Sequence, residues 1–213
     1  MLLLKNLAPA AVAAEPEAAE ELVKAVDDFP LALVLMGRYL QKESRTAQPR
    51  RIQQALKRLQ EVEERLLLEQ AKTEPRHHPA LPAETQLSLL AAIEMSDEAV
   101  GESARHTLYT LSVFPPKPNT FSEEAALVVS AEPAEALDTL TDYGLLESSG
   151  PGRYTLHQAI ADYAGVNHTD EAADERMVTY FVNYVEAHEK EYGVLEQETN
   201  NVVAALDTAS FSP

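Results

Sequence analysis

The stretch Leu145-Leu-Glu-Ser-Ser-Gly-Pro-Gly-Arg-Tyr-Thr-Leu156 decides which fold class this chain adopts. Two short extended runs, Leu145 to Glu147 and Arg153 to Leu156, flank a Gly-Pro-Gly turn, which predicts a β-hairpin. Apolar residues at helical spacing predict helices before the hairpin. The three predicted helices lie near residues 102–113, after Ser122 and after Pro133. Three helices followed by a hairpin is the element order of a winged helix, so residues 84–166 are predicted to form a winged-helix domain.

Two further helices are predicted on the C-terminal side of this domain. One starts near Asp170 and carries an amphipathic stripe that includes Met177 and Phe181. Gly193 interrupts the helical pattern. A second helix follows, with the apolar residues Leu195, Val202, Val203 and Leu206. A single pair of helices cannot bury its own apolar face. Residues 170–213 are therefore predicted to be the first helices of a tetratricopeptide-like repeat region.

A helical bundle is predicted on the N-terminal side, over residues 1–75. One of its helices starts at Pro30 and is apolar nearly all round for two turns, which predicts burial. Another, from Arg50, has apolar residues in a 3.6-residue stripe. Residues 72–83 contain three prolines and are predicted to be a linker to the next domain. The predicted fold class is thus mainly α with one small hairpin.

Composition excludes several classes of site. The chain of 213 residues has no Cys, so it can form neither a disulfide nor a thiolate metal site and has no thiol nucleophile. This agrees with a reducing cytoplasm, where we expect the protein to act. No run approaches the roughly 20 apolar residues that a membrane span needs. We therefore expect no membrane partner.

The formal net charge of −18 argues against nucleic acid as a partner, because such a field repels phosphate backbones. Residues 38–76 hold ten of the 17 Lys and Arg, whereas residues 77–213 hold five against 23 acids. The helix that would enter a DNA groove in a winged helix, Pro133 to Leu146, has three acids and no Lys or Arg. A winged-helix DNA-binding regulator remains an alternative that this helix disfavours.

Several motifs in order resemble the STAND class of signalling NTPases, in particular its NB-ARC-like group. Phe29-Pro-Leu-Ala-Leu33 is similar to the family's Gly-Leu-Pro-Leu-Ala-Leu signature, with Asp28-Phe29 where Gly-Leu is usual. Tyr154-Thr-Leu-His-Gln-Ala-Ile-Ala-Asp-Tyr-Ala164 resembles the Met-His-Asp signature, with Leu and Gln on either side of the histidine. Residues 121–146 are typical of bacterial members, and residues 195–206 resemble the entry to their repeats.

The resemblance implies a nucleotide-binding role for two residues. In the family, the proline of the first signature lies against adenine, and the histidine of the second contacts the β-phosphate of ADP. By position these residues are Pro30 and His157. The resemblance further implies a resting state closed around ADP. Exchange of ADP for ATP would release the winged helix and permit assembly of the full-length protein.

A P-loop is missing from the sequence. The motif Gly-x4-Gly-Lys-Ser/Thr brings backbone N–H groups close to the phosphates and supplies a balancing Lys, and no glycine of this chain has that pattern. We therefore expect a monomeric fragment with no catalytic residues and no tightly bound cofactor. It would hold ADP or ATP only together with its own NTPase domain, expected upstream, and the full-length protein would be an ATPase switch. The repeat region would receive a protein or small-molecule ligand.

Other residues give no site with a known pattern. His77, His78 and His106 are considered together as possible metal ligands. No carboxylate lies at the helical spacing of a metal-binding motif, so no metal site is predicted. Ser122, Ser148 and Ser149 lack the partners of a nucleophile. A helical protein-interaction module without any nucleotide role remains the second alternative function.

Overall fold

The computed structural model describes residues 1–26, 29–43, 51–70 and 83–211. It divides into two compact units, Met1–Val100 and Gly101–Pro213. Each unit has an interior of its own. The first is made of helices, and the second combines helices with a small antiparallel sheet.

The described residues of the first unit form six helices, three of which begin with proline. Proline is favoured at this position because its fixed φ suits a helix. The N–H groups of the first turn have no acceptor within the helix, so the N–H that proline lacks costs no hydrogen bond. The helices are α1 (Leu2–Leu7), α2 (Pro9–Ala14), α3 (Pro16–Ala25), α4 (Pro30–Glu43), α5 (Arg51–Gln70) and α6 (Ala83–Ala99).

Helix α4 is a central element of the first unit, as its apolar sequence predicts. It packs against α1, α5 and α6, and Ala32, Leu35 and Met36 are fully buried. Gly37 permits the close approach of α1, because a Cβ at this position would lie 2.7 Å from Leu7 Cδ1. A side chain at position 37 would therefore push the two helices apart.

The division between the units falls after Val100 and not at residues 72–83. Residues 72–82 of the predicted linker lie outside the described residues. Helix α6, which the sequence assigned to the second domain, packs against α4 and α5. Its residues Ala91, Ala92, Ile93 and Met95 are all fully buried. Consecutive buried positions mean that neighbours cover the helix on more than one side, and these neighbours belong to the first unit.

The second unit begins with short helices and strands, among which the predicted helices and hairpin follow in the predicted order. They are α7 (Glu102–Thr110), a 3-10 turn (Leu111–Val113), β1 (Phe121–Ser122), α8 (Glu123–Ser130), α9 (Ala134–Tyr143), β2 (Glu147–Ser148), β3 (Arg153–Thr155) and α10 (Gln158–Asn167). The predicted hairpin is confirmed as β2 and β3, which are antiparallel with Glu147 opposite Thr155. Gly150 and Gly152 have φ of +122° and +63°, values that side-chain-bearing residues rarely adopt.

Strand β1 was not predicted. It adds a third strand to the sheet, in the order β1-β3-β2, with Phe121 opposite Tyr154. Two residues are too few to show the alternation of apolar and polar side chains by which a strand is recognised. Only the pairing with β3 makes this segment extended.

Helices α11 (Glu171–Ala187) and α12 (Tyr192–Phe211) form the predicted helical pair. The expectation that the pair needs further repeats to bury its apolar face does not hold for α11. This helix packs on α8 and the 3-10 turn, where Ala173, Met177 and Phe181 are buried. Phe181 meets the ring of Phe114 edge to face, at a centroid distance of 6.3 Å. Gly193 lies in the first turn of α12 and does not separate the helices.

In the parts of the chain that the structure describes, no helix combines the length and the apolar character that crossing a bilayer requires.

Candidate functional site

Pro30 lies in the first unit, where it begins α4 and is exposed. The preceding residue, Phe29, accepts a hydrogen bond through its carbonyl oxygen from the Leu33 N–H at 3.0 Å. The first helical turn therefore closes around the proline, as expected for a residue whose ring fixes φ. Asp27 and Asp28, which precede the motif, lie outside the described residues.

His157 lies in the second unit as the N-cap of α10, directly after β3. Its Nδ1 accepts a hydrogen bond from the Ala159 N–H at 3.2 Å. Its carbonyl oxygen accepts bonds from the next turn, from Ile160 and Ala161. A neutral imidazole whose Nδ1 accepts carries its proton on Nε2. The capping bond thus sets the tautomer and makes Nε2 the donor of this ring.

The residues on either side of His157 have separate roles. Leu156 is fully buried and anchors the end of β3 in the core. Gln158 is exposed and donates from Nε2 to Asp162 Oδ1 at 2.8 Å, one turn later in α10. The histidine therefore stands between a buried anchor and a residue that pairs within its own helix. Its predicted contact with a phosphate, like that of Pro30 with adenine, stays a prediction.

A buried polar cluster lies at the sheet, and sequence reasoning missed it. We call Asn119, Thr120, Arg153, Glu198 and Asn201 the polar clamp. Glu198 and Asn201 belong to α12 and are 2% and 0% exposed. One carboxylate oxygen of Glu198 accepts a bond from Arg153 and the other from Asn201. Thr120 receives the remaining Arg153 bonds, Nε to its Oγ1 and Nη2 to its carbonyl oxygen, both at 2.9 Å.

Asn201 completes the polar clamp because its whole amide is used. Its Nδ2 also donates to the Thr120 carbonyl oxygen at 2.9 Å, and its Oδ1 accepts from Asn119 Nδ2 at 2.6 Å. The clamp thus joins α12 to β3 and to the chain just before β1. One signal in the sequence could have found it. Glu198 and Asn201 occupy core-facing positions at helical spacing between Leu195 and Ala205.

An open groove with a volume of about 820 Å³ runs along α11. We call it the α11 groove. Its wall is an aromatic row, Tyr180, Tyr184 and His188, with ring centroids 5.9 Å and 4.4 Å apart. Other lining side chains come from α8, β3, α11 and α12: Glu124, Val128, Arg153, Glu175, Arg176 and Glu198. Burial is the main cause that raises the pKa of both tyrosines, so the row is partly removed from water.

Arg176 ties the start of α11 to its surroundings. It donates from Nε to the Val129 carbonyl oxygen and from Nη2 to Asp170 Oδ2, both at 2.8 Å. This bond to Arg176 is the main cause that holds the pKa of Asp170 below its usual range. His106 Nε2 lies 3.4 Å from the same carboxylate. The middle of α7 and the start of α11 are therefore linked through one aspartate.

No metal site can be assigned. Among the described residues, no group of three His, Asp or Glu side chains is arranged to hold a metal ion. His77 and His78 lie outside the described residues. On α9, Glu135, Asp138 and Asp142 are exposed, so this helix presents carboxylates to solvent.

No protein-family model matches the chain, and no curated protein gives a significant match.

Proposed function

We propose that this chain is the regulatory part of a nucleotide-switched STAND signalling protein, in which it closes over ADP held by an NTPase domain outside these 213 residues. Pro30 would lie against the adenine and His157 would donate to the β-phosphate. The helices α11 and α12 would begin a repeat region that receives the stimulus. The protein would act in the cytoplasm, and the chain itself would have no catalytic role.

The observation that carries the proposal is the setting of His157. The residue caps α10, and its Nδ1 is used as an acceptor by the Ala159 N–H. The ring thus stands at the first turn of α10, with Nδ1 bound to a backbone N–H group of that turn. The N-terminus of a helix also attracts anions through its backbone N–H groups and its dipole. Both features favour a phosphate at this position.

The order of the elements in the second unit also supports the proposal. The helices α7, α8 and α9 precede the β2–β3 hairpin, and His157 follows the hairpin after a single residue. This is the order of a winged helix with a histidine motif behind it. The motif spacing in the sequence agrees with this reading, because the Pro30 and His157 motifs are about 125 residues apart.

The polar clamp connects α12, which would receive the stimulus, to the strand that precedes His157, which would contact the nucleotide. Arg153 is the first residue of β3, and His157 lies two residues after the last. From α12, Glu198 holds this strand through Arg153, and Asn201 holds the segment before β1 through Thr120. A ligand that moves α12 would break hydrogen bonds at β3 and shift the backbone that carries His157. Coupling of about 1–3 kcal/mol between the two sites would be enough to hold the switch closed and still release it.

Calorimetric titration with ADP tests the proposal. It should be done on this chain and on a longer protein that joins it to its NTPase domain. We expect tight binding only in the longer protein, and weakening of about 10- to 100-fold by His157→Asn. Asn is among the best N-cap residues, so this variant keeps the cap of α10 and removes the imidazole.

Gln158→Ala is the matched control, because it changes the next residue, which is exposed and pairs with Asp162. It should leave ADP affinity within about twofold. Equal ADP affinity of the His157→Asn and unmodified longer proteins would reject the role of His157. A longer protein that binds no ADP at all would reject the nucleotide switch.

A further inference from the structure

The α11 groove has a shape that fits a helix. Eight of its lining residues lie on α11 at helical spacing and a ninth, His188, is its C-cap, so together they form one stripe along that helix. The stripe runs from Ala172 to His188, which corresponds to about 24 Å of helix. Val128 on α8 faces the same groove and is 42% exposed. A helix of four to five turns would match this length.

The two arginines of the groove are already engaged by the protein. Arg153 donates to Glu198 and twice to Thr120. Arg176 donates to Asp170 and to the Val129 carbonyl oxygen. A phosphate or an acidic peptide would have to compete with these carboxylates for the guanidinium groups. The groove is therefore poorly suited to an anion.

Two carboxylates in the groove lack such partners. The side chains of Glu124 and Glu175 form no hydrogen bond or ion pair with the residues that the structure describes. The charge of Glu124 adds to burial in raising the pKa of Tyr180, which indicates that this carboxylate faces the aromatic row. Residues 101–213 carry 19 Asp and Glu against 5 Lys and Arg, so the surrounding field is also negative.

We propose that the α11 groove binds a basic amphipathic helix of another protein. Its apolar side would lie on Val128 and the tyrosines, and its Lys or Arg side chains would pair with Glu124 and Glu175. A guanidinium group can also lie against the half-buried rings of Tyr180 and Tyr184, because aromatic rings attract cations. His157 does not line this groove, so binding of a peptide can be tested without the nucleotide.

A second copy of this chain is a poor occupant, because two molecules with a net charge of −18 repel each other. Nucleic acid is disfavoured for the same reason. The chemistry of the groove thus selects a cationic partner. We expect the partner to be helical because the stripe lies along one side of α11 and is long enough for four to five helical turns.

Fluorescence anisotropy with a synthetic peptide tests the proposal. The probe is a labelled amphipathic peptide of about 18 residues with Leu on one side and Arg on the flanks, together with an otherwise identical peptide with Glu in place of Arg. The unmodified chain should bind the Arg peptide and not the Glu peptide. The double variant Glu124→Gln/Glu175→Gln should weaken binding about tenfold. Tyr184→Leu should weaken it about threefold, because it keeps an apolar side chain and removes the ring.

The matched control is Glu135→Gln/Asp138→Asn, which removes the same charge from exposed positions of α9. It should change the affinity by less than about twofold. Equal weakening by the two double variants would assign binding to the general negative field and overturn the proposal. Absence of binding, or binding of the Glu peptide instead, would also overturn it, as would a dimer of this chain that the Tyr184→Leu variant disrupts.

Discussion

Helices α11 and α12 pack against the rest of the second unit through different interactions, the first apolar and the second polar. Helix α11 presents Met177 and Phe181 to an apolar core, and both are at most 1% exposed. Helix α12 presents Glu198 and Asn201, which are equally buried but polar. Apolar burial tolerates small shifts because it has no direction. A hydrogen-bond network is lost when its geometry changes, so the second contact is more sensitive to a displacement of its helix.

The largest effect is expected from the apolar contact of α11. Phe181→Ala removes a ring that packs against Phe114 and leaves a cavity. It should lower the free energy of unfolding of the second unit by about 3–5 kcal/mol. Urea denaturation followed by circular dichroism measures this. Val182→Ala, at a position that is 48% exposed, is the control and should cost less than about 1 kcal/mol. Similar losses in both variants would show that α11 does not dock through this face.

A smaller effect is expected from the polar clamp. Glu198→Met removes the carboxylate and leaves Arg153 and Asn201 without an acceptor that each of them now uses. It should cost about 1–3 kcal/mol in the same denaturation experiment, less than a fully buried pair because the Arg153 side chain is 23% exposed.

The double variant Arg153→Met/Glu198→Met sharpens this prediction. It removes both charges and keeps side-chain volume, so it should recover most of the loss. A double variant that is less stable than Glu198→Met would contradict the view that the cost comes from the unpaired partner. In the longer protein, the same pair of variants would report whether the polar clamp carries the signal to His157.

The smallest effect concerns a half-buried carboxylate in the first unit, Glu63 on α5. Burial raises its pKa, and a hydrogen bond with Ser88 on α6 opposes this only partly. Its Oε1 is buried and has no partner among the described residues, whereas both oxygens of Glu198 are paired. Because the folded state binds the proton more tightly than the unfolded state, stability decreases as the pH rises through the folded pKa.

Glu63→Gln removes this charge and should raise the melting temperature at pH 7 by about 1–3 °C. At pH 4, where the native carboxyl is largely protonated, the difference should disappear. Glu61→Gln, on the exposed side of α5, is the control. A melting temperature that falls at pH 7 would mean that the bond with Ser88 outweighs the burial of the charge.

The sequence predicted local features well, because their causes are local. The Gly-Pro-Gly turn between two extended runs was enough to predict the hairpin. The proline at position 30 was enough to predict the start of α4. The N-cap position of His157 also follows from a strand that ends just before a helical pattern. These signals depend on a few neighbouring residues and on backbone sterics.

Tertiary structure alone decided the features that join distant segments. Strand β1 is extended only because it pairs with β3, about 30 residues later. The polar clamp joins Thr120, Arg153 and Glu198, whose contact no local pattern predicts. Helix α6 follows a stretch with several prolines and still belongs to the first unit, because its buried face fits there. The physical reason is that helical and turn preferences act within a few residues, whereas burial and hydrogen-bond partners are set by whichever segments meet in the folded chain.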